Sequence, residues 1–112
     1  MKLIVAIIRP EKLEDVQRAL AERDVYLMTV SDVRGCGRQR GYTEVYRGTE
    51  VRIQLIPKLK LEILVRDWDV NRAMDVIANT LRTGNIGDGK IVVFEATSAM
   101  RVRTGERGVY AL

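Results

Sequence analysis

Gly84-Asn85-Ile86-Gly87-Asp88-Gly89-Lys90 is the stretch of this 112-residue chain with the clearest chemistry, because it matches G-x-x-x-x-G-K. Closely spaced glycines let backbone N–H groups approach phosphate oxygens, and a neighbouring lysine adds a point charge. Two features separate it from a nucleoside-triphosphatase loop. Position 91 is Ile, so no hydroxyl follows the lysine to hold magnesium. The surrounding pattern runs helix, loop, strand, which puts no helix N-terminus against the anion. On its own the stretch reads first as a glycine-rich turn with a solvated lysine.

Two further basic elements argue for a polyphosphate. Gly35-Cys36-Gly37-Arg38-Gln39-Arg40-Gly41 fails the dinucleotide fingerprint G-x-G-x-x-G, since Arg40 stands at its last glycine and no helical pattern follows. It still sets arginines among glycines. Arg101 and Arg103 are two residues apart, so in an extended tail both guanidinium groups would face one anion. Solvated edge arginines have the same spacing.

Absences narrow the chemistry. The chain has no His, which excludes His-based triads, phosphohistidine and His-ligated metals. Cys36 is the one cysteine, so neither an intrachain disulfide nor a thiolate zinc site can form, and it reads as a small buried hydrophobe. A binding protein is therefore favoured over an enzyme. The net charge of +4 and pI near 9.5 raise nucleic acid as a partner. An RNA-recognition motif, however, needs aromatics on its central strands, and the first and third strands here have none. Acylphosphatase-type hydrolysis would need an anion cradle straight after the first strand, where Arg9-Pro10-Glu11 offers no glycine.

These residues must be positioned by regular elements. Residues 2–8 form a nearly unbroken aliphatic run, the mark of a central strand. Leu13, Val16, Ala19 and Leu20 recur at helical spacing, predicting a helix over 11–23 after Pro10. Residues 25–34 have strand composition. Leu59, Leu61, Ile63 and Val65 alternate with Lys58, Lys60 and Glu62, predicting a strand with one buried face. Asp67 or Asp69 is placed to cap a second helix striped by Val70, Ala73, Met74, Ile77, Ala78 and Leu81, with Gly84 placed to stop it. Residues 91–96 read as a last buried strand, and 100–103 as a short extended tail.

The order is βαββαβ, the ferredoxin-like α+β fold, with helices on one face of a four-stranded sheet. Ile7 and Leu61 or Leu64 leave aliphatics to hide on the other face, which favours an oligomer built around the open sheet. Residues 35–56, 22 in all, separate the second and third strands and carry four of the nine glycines and four arginines. Loops beyond about 15 residues are mostly functional. Residues 1–112 are expected to form one domain, with a long mobile loop at 37–55 and a C-terminal tail at 98–112. The N-terminus lacks a signal-peptide pattern and no apolar run could span a bilayer, so a cytoplasmic location is expected.

The sequence resembles the nitrogen-regulatory PII signal-transduction proteins along essentially its whole length. The match is carried by residues 35–58, including Tyr46-Arg47-Gly48 and Pro57-Lys58, by Thr83 with the glycine-rich stretch after it, and by Arg101-Val102-Arg103-Thr104-Gly105-Glu106. The resemblance implies a homotrimer, not an enzyme, with nucleotide clefts between subunits that bind ATP or ADP. With Mg2+ and ATP it implies binding of 2-oxoglutarate. By the same resemblance Gly87, Asp88, Gly89 and Lys90 would cradle phosphates, with Arg38, Arg101, Val102 and Arg103 from facing segments and Thr29 and Leu64 at the base. Gln39 would ligate the Mg2+, completing the oxygen shell a hard cation prefers. Lys58 would neutralise the distal carboxylate of 2-oxoglutarate, helped by Gly37, Gly41, Ile86 and Gly87.

The implied partner is an ammonium transporter that the long loop would plug, with Arg47 as the probe, so that contact with a membrane is only indirect and nucleic acid is not a partner. The alternatives are a nitrogen-assimilation enzyme or nitrogenase as the regulated partner, or a PII-like sensor of another nucleotide or small anion. Position 51 is Val where many members carry a uridylylated tyrosine, so that modification is chemically impossible there. Thr49 stands where some relatives carry a phosphorylated serine, and Tyr42 and Cys36 also depart from the commonest family residues.

Overall fold

The computed structural model describes residues 1–36, 44–46, 49–51 and 55–112, with 44–46 and 49–51 described as backbone only. The strands are β1 (Lys2–Ile8), β2 (Thr29–Gly35), β3 (Glu44–Tyr46), β4 (Thr49–Val51), β5 (Ile56–Val65) and β6 (Lys90–Glu95). The helices are α1 (Leu13–Ala21) and α2 (Val70–Leu81). Four strands make one antiparallel sheet in the order β2-β5-β1-β6, and β3 pairs with β4 as a separate hairpin. This is the ferredoxin-like α+β arrangement expected from the sequence. The hairpin lies within the long connection, where no strand is expected.

Alternation decides which side of the sheet is core. Ile4, Ala6 and Ile8 of β1, with Leu59, Leu61, Ile63 and Val65 of β5, are buried under the two helices. Val16 and Leu20 of α1 stand four residues apart, and Val70, Ala73, Ile77 and Leu81 of α2 repeat at three and four, so each helix turns one stripe inward. The opposite face has no covering layer among the described residues. Register places Phe94, Leu3 and Leu64 in one row across it and Val92, Val5 and Glu62 in the next. Leu64 and Ile7 are therefore the open-face aliphatics, whereas Leu61 belongs to the core.

Four local expectations are corrected. Residues 25–28 precede β2, because the Val25 N–H donates to the Leu20 carbonyl and holds the chain against the end of α1. Neither Asp67 nor Asp69 caps α2. A 3-10 turn over Asp67–Asp69 leads into that helix, and the two carboxylates accept from the Met1 ammonium and from Arg72 instead. Gly84 lies beyond the helix end, since the chain is already extended at Arg82. Residues 100–103 are no extended tail. The Gly105 N–H donates to the Arg101 carbonyl and the Arg101 N–H to the Glu106 carbonyl, closing a turn beneath a Met100–Arg107 bridge.

Candidate functional site

A cavity of about 570 Å3 opens where β1 and β2 end and β5 begins. Ile7 forms its floor, Val33 to Cys36 one wall, Lys58 another, and the loop from Asn85 to Lys90 the rim. The sequence folds this way because the antiparallel register brings Ile7 level with both Lys60 and Lys90. The glycine-rich loop that precedes β6 must then cross the end of β1. Gly89 makes that crossing possible. Its φ is +123°, and a Cβ there would collide with the Ile7 carbonyl oxygen, so only glycine fits.

The loop is held by side chains from outside it. The Asp88 carboxylate accepts from the Thr83 N–H at 2.8 Å, from the Gly84 N–H at 2.9 Å and from the Thr83 hydroxyl. Arg9, one residue past β1, donates to Asp88 at 2.8 Å and to the Ile86 carbonyl at 2.9 Å. These contacts, with those from Thr83 the largest, hold the Asp88 carboxyl well below the usual carboxylate range. Lys58 donates to the Gly87 carbonyl at 3.2 Å. Among the described residues neither Lys58, Lys60 nor Lys90 has a carboxylate within ion-pairing distance. The mouth of the cavity is therefore electropositive, the arrangement that draws an anion.

The structure divides the expected site residues. Lys58, Ile86, Gly87, Asp88, Gly89 and Lys90 share this cavity. Thr29 and Leu64 do not line it. Leu64 lies six residues along β5 from Lys58, about 20 Å at strand rise, and borders a second cavity with Tyr26, Leu27 and Trp68. Arg101 and Arg103 also stand apart from the first cavity. Arg101 donates to the Leu112 carbonyl at 2.9 Å and pairs with Glu106, while Val102 is 94% exposed. The expectation that a strand aligns the two guanidinium groups falls with the turn that replaces it. Gly37, Arg38, Gln39, Gly41, Tyr42 and Arg47 lie outside the described residues, as do the side chains of Thr49 and Val51.

Cys36 is exposed at the rim of the cavity, where a buried hydrophobe was expected, because it is the first residue past the end of β2. Arg9 and Thr83 are the contributors that pattern reading misses as site residues. The one signal for Arg9 is a cation at the end of a central strand, directly before a proline. No three carboxylates or cysteines gather to hold a metal among the described residues, and no helix there is long and apolar enough to cross a membrane.

The whole chain has close counterparts. The family model described as Nitrogen regulatory protein P-II matches residues 1–106. The chain belongs to the nitrogen regulatory protein P-II family. It is 53% identical to Nitrogen regulatory protein P-II 2 of Methanothermobacter thermautotrophicus over 112 residues, covering 100% of this chain and 97% of that one. It is likewise 53% identical over 106 residues to Nitrogen regulatory protein P-II of Klebsiella oxytoca and to Nitrogen regulatory protein P-II 1 of Escherichia coli K12. Each of those two matches covers 95% of both chains. In this P-II chain the glycine-rich stretch and Lys58 lie at one end of the sheet, while Thr29, Leu64 and the Arg101 turn lie outside that cavity.

Proposed function

We propose that this P-II chain is a nitrogen and carbon status sensor that binds ATP or ADP and, together with Mg2+ and ATP, 2-oxoglutarate. The observation that carries the reading is the division of the site. Among the described residues implied by the family resemblance, Lys58, Ile86, Gly87, Asp88, Gly89 and Lys90 line one electropositive cavity, and Thr29, Leu64, Arg101, Val102 and Arg103 sit elsewhere on the same chain. A cleft between copies unites such groups. One protomer supplies Lys58, Gly87, Gly89 and Lys90 to the phosphates, and its neighbour supplies Thr29 and Leu64 to the base, with Arg101 and Arg103 alongside.

The open sheet face supports assembly as a homotrimer. Phe94 is 52% and Val92 41% exposed, and they adjoin Leu3, Val5 and Leu64. Burying such a patch is favourable by roughly 25 cal/mol per Å2 of apolar surface.

The donor set bears on the metal. The charged residues around the cavity are the cations Arg34, Lys58 and Lys90 and the Asp88 carboxylate, which is already engaged by Thr83, Gly84 and Arg9. Among the described residues no cluster of carboxylates or cysteines is placed to hold a free divalent cation, whereas a metal that arrives on polyphosphate brings oxygens with it. Gln39 would add the chain's own oxygen to such a metal, which would supply a Lewis-acidic positive charge to hold 2-oxoglutarate. Lys58 neutralises the distal carboxylate. A change at Gln39 passes to the loop at 37–55, which docks on an ammonium transporter in one effector state and leaves it in another.

Calorimetric titration with ATP, with ADP and then with 2-oxoglutarate, each with and without Mg2+, tests the reading. Nucleotide binding with uptake of 2-oxoglutarate only beside Mg-ATP is expected. Nucleotide binding without any 2-oxoglutarate uptake would remove the carbon-sensing role. Absence of nucleotide binding would remove the cleft itself.

A further inference from the structure

Arg9 lies outside the glycine-rich loop yet touches it at two points. One guanidinium nitrogen donates to the Asp88 carboxylate at 2.8 Å and another to the Ile86 carbonyl at 2.9 Å, reaching 79 and 77 residues along the chain. The side chains of Arg9 and Asp88 are only about one fifth exposed, at 22% and 23%, so water screens the pair less than it would an open surface pair. Pro10 holds Arg9 in extended backbone, with φ −67° and ψ 138°, so the side chain leaves β1 from a fixed stem.

The Ile86 carbonyl and the Gly87 N–H belong to one peptide plane. No peptide bond among the described residues is cis, so the two groups point in opposite directions. Fixing the Ile86 oxygen therefore fixes the direction of the Gly87 amide. That control matters at Gly87, whose φ of +99° is one of several a glycine can adopt at similar cost. Asp88 completes the frame, because its carboxylate also grips the Thr83 and Gly84 N–H groups at the exit of α2.

We propose that Arg9 is a positioning residue for anion binding: its forked guanidinium orients the Gly87 amide and clamps both ends of the loop without touching the ligand. The inference rests on the phosphate-binding reading above and adds to it a residue from the opposite end of the chain. A planar fork with two separate acceptors suits arginine, while a lysine in its place reaches one acceptor at a time. Losing both contacts frees a loop whose glycines offer no stiffness of their own.

The test compares wild type, Arg9→Lys and Arg9→Met by calorimetry with ATP and with inorganic tripolyphosphate, alongside the thermal midpoint and the 15N–1H spectrum. Arg9→Met is expected to weaken both ligands about tenfold or more, the scale of hydrogen bonds to charged groups. Arg9→Lys, which can reach only one of the two acceptors at a time, is expected to restore only part of that loss. In Arg9→Met the Gly87 amide resonance moves or broadens while those of Ile4 and Leu61 stay in place. Should Arg9→Met prove unstable, the Gly87 resonance and affinities of Arg9→Lys at a temperature where it is folded decide the matter. An unmoved Gly87 signal with unaltered affinity in that variant overturns the role. Full retention of affinity by a folded Arg9→Met overturns it too, leaving the phosphate reading standing. Wild-type protein that takes up neither ATP nor tripolyphosphate overturns the phosphate reading and this inference together.

Discussion

The Lys58 ammonium donates to the Gly87 carbonyl oxygen across 3.2 Å, joining the start of β5 to the middle of the glycine-rich loop. A carbonyl is a weaker partner for an ammonium than a carboxylate is. On the proposed reading, an arriving dicarboxylate would exchange a modest contact for a stronger one. Lys58→Met is expected to weaken 2-oxoglutarate about tenfold or more while changing ADP by less than about threefold. Titrating the variant with ADP alone, and with 2-oxoglutarate beside Mg-ATP, checks the difference. Equal losses for both ligands would contradict the role given to Lys58.

Gly89→Ala combines two faults. The backbone at φ +123° is strained for any L side chain, and the added methyl meets the Ile7 carbonyl. A cost of about 2 kcal/mol or more in folding stability follows. The loop must move off the end of β1 to relieve it, so nucleotide binding falls as well. Gly84→Ala is the control, because nothing lies within 4 Å of its Cβ position and only its φ of +86° is strained. Chemical denaturation of both variants should rank Gly89→Ala as the more damaging.

Acid acts on the same loop. The Asp88 carboxyl is held below its ordinary range, first by the Thr83 hydroxyl and backbone N–H, then by Arg9 and Gly84, against the opposing effect of desolvation. Asp67 shifts in the same direction through its hydrogen bond from the Met1 ammonium. A depressed carboxylate adds stability that is fully present above its unfolded pKa of about 4 and is lost as pH falls below it. The thermal midpoint of the wild type should thus drop as pH is lowered from about 5 toward 2. Asp88→Asn should start lower at neutral pH and show a shallower decline. An equally steep decline would place the acid sensitivity elsewhere.

How far these features could be read from residue order depends on the range of the contacts. The period-two run from Leu59 to Val65 declares its buried face because each residue's side follows from its neighbour's. The stripes of α1 and α2 are legible for the same reason. Arg9 is not, since its partners lie nearly eighty residues away and a cation before a proline looks like any strand end. The Arg101 turn misleads in a different way. Its composition suits an extended tail, but closure depends on two backbone hydrogen bonds that no side-chain pattern announces. The choice between Leu61 and Leu64 as open-face residues is settled only by register, where Leu64 stands opposite Leu3 and Leu61 opposite Ala6.

Register also supplies the sharpest test of assembly. Phe94 and Leu64 flank Leu3 on the uncovered face, and Phe94 is half exposed, so its ring adds little to the core of a single chain. Phe94→Asp should leave the fold of the chain stable to within about 1 kcal/mol, as surface substitutions do. Leu61→Ala, in the fully buried core, should cost about 3 kcal/mol. Between copies the order reverses. In the proposed trimer a carboxylate at position 94 would face apolar surface of neighbouring copies and lose its water without gaining a partner, a cost that should outweigh assembly. Light scattering should give three chains per particle for the wild type and one for Phe94→Asp. ATP affinity should collapse with the mass, since the monomer keeps Lys58 and Lys90 but loses a neighbour's Thr29, Leu64, Arg101 and Arg103. A Phe94→Asp protein that is monomeric yet binds ATP as tightly as the wild type would mean that one chain holds the nucleotide alone.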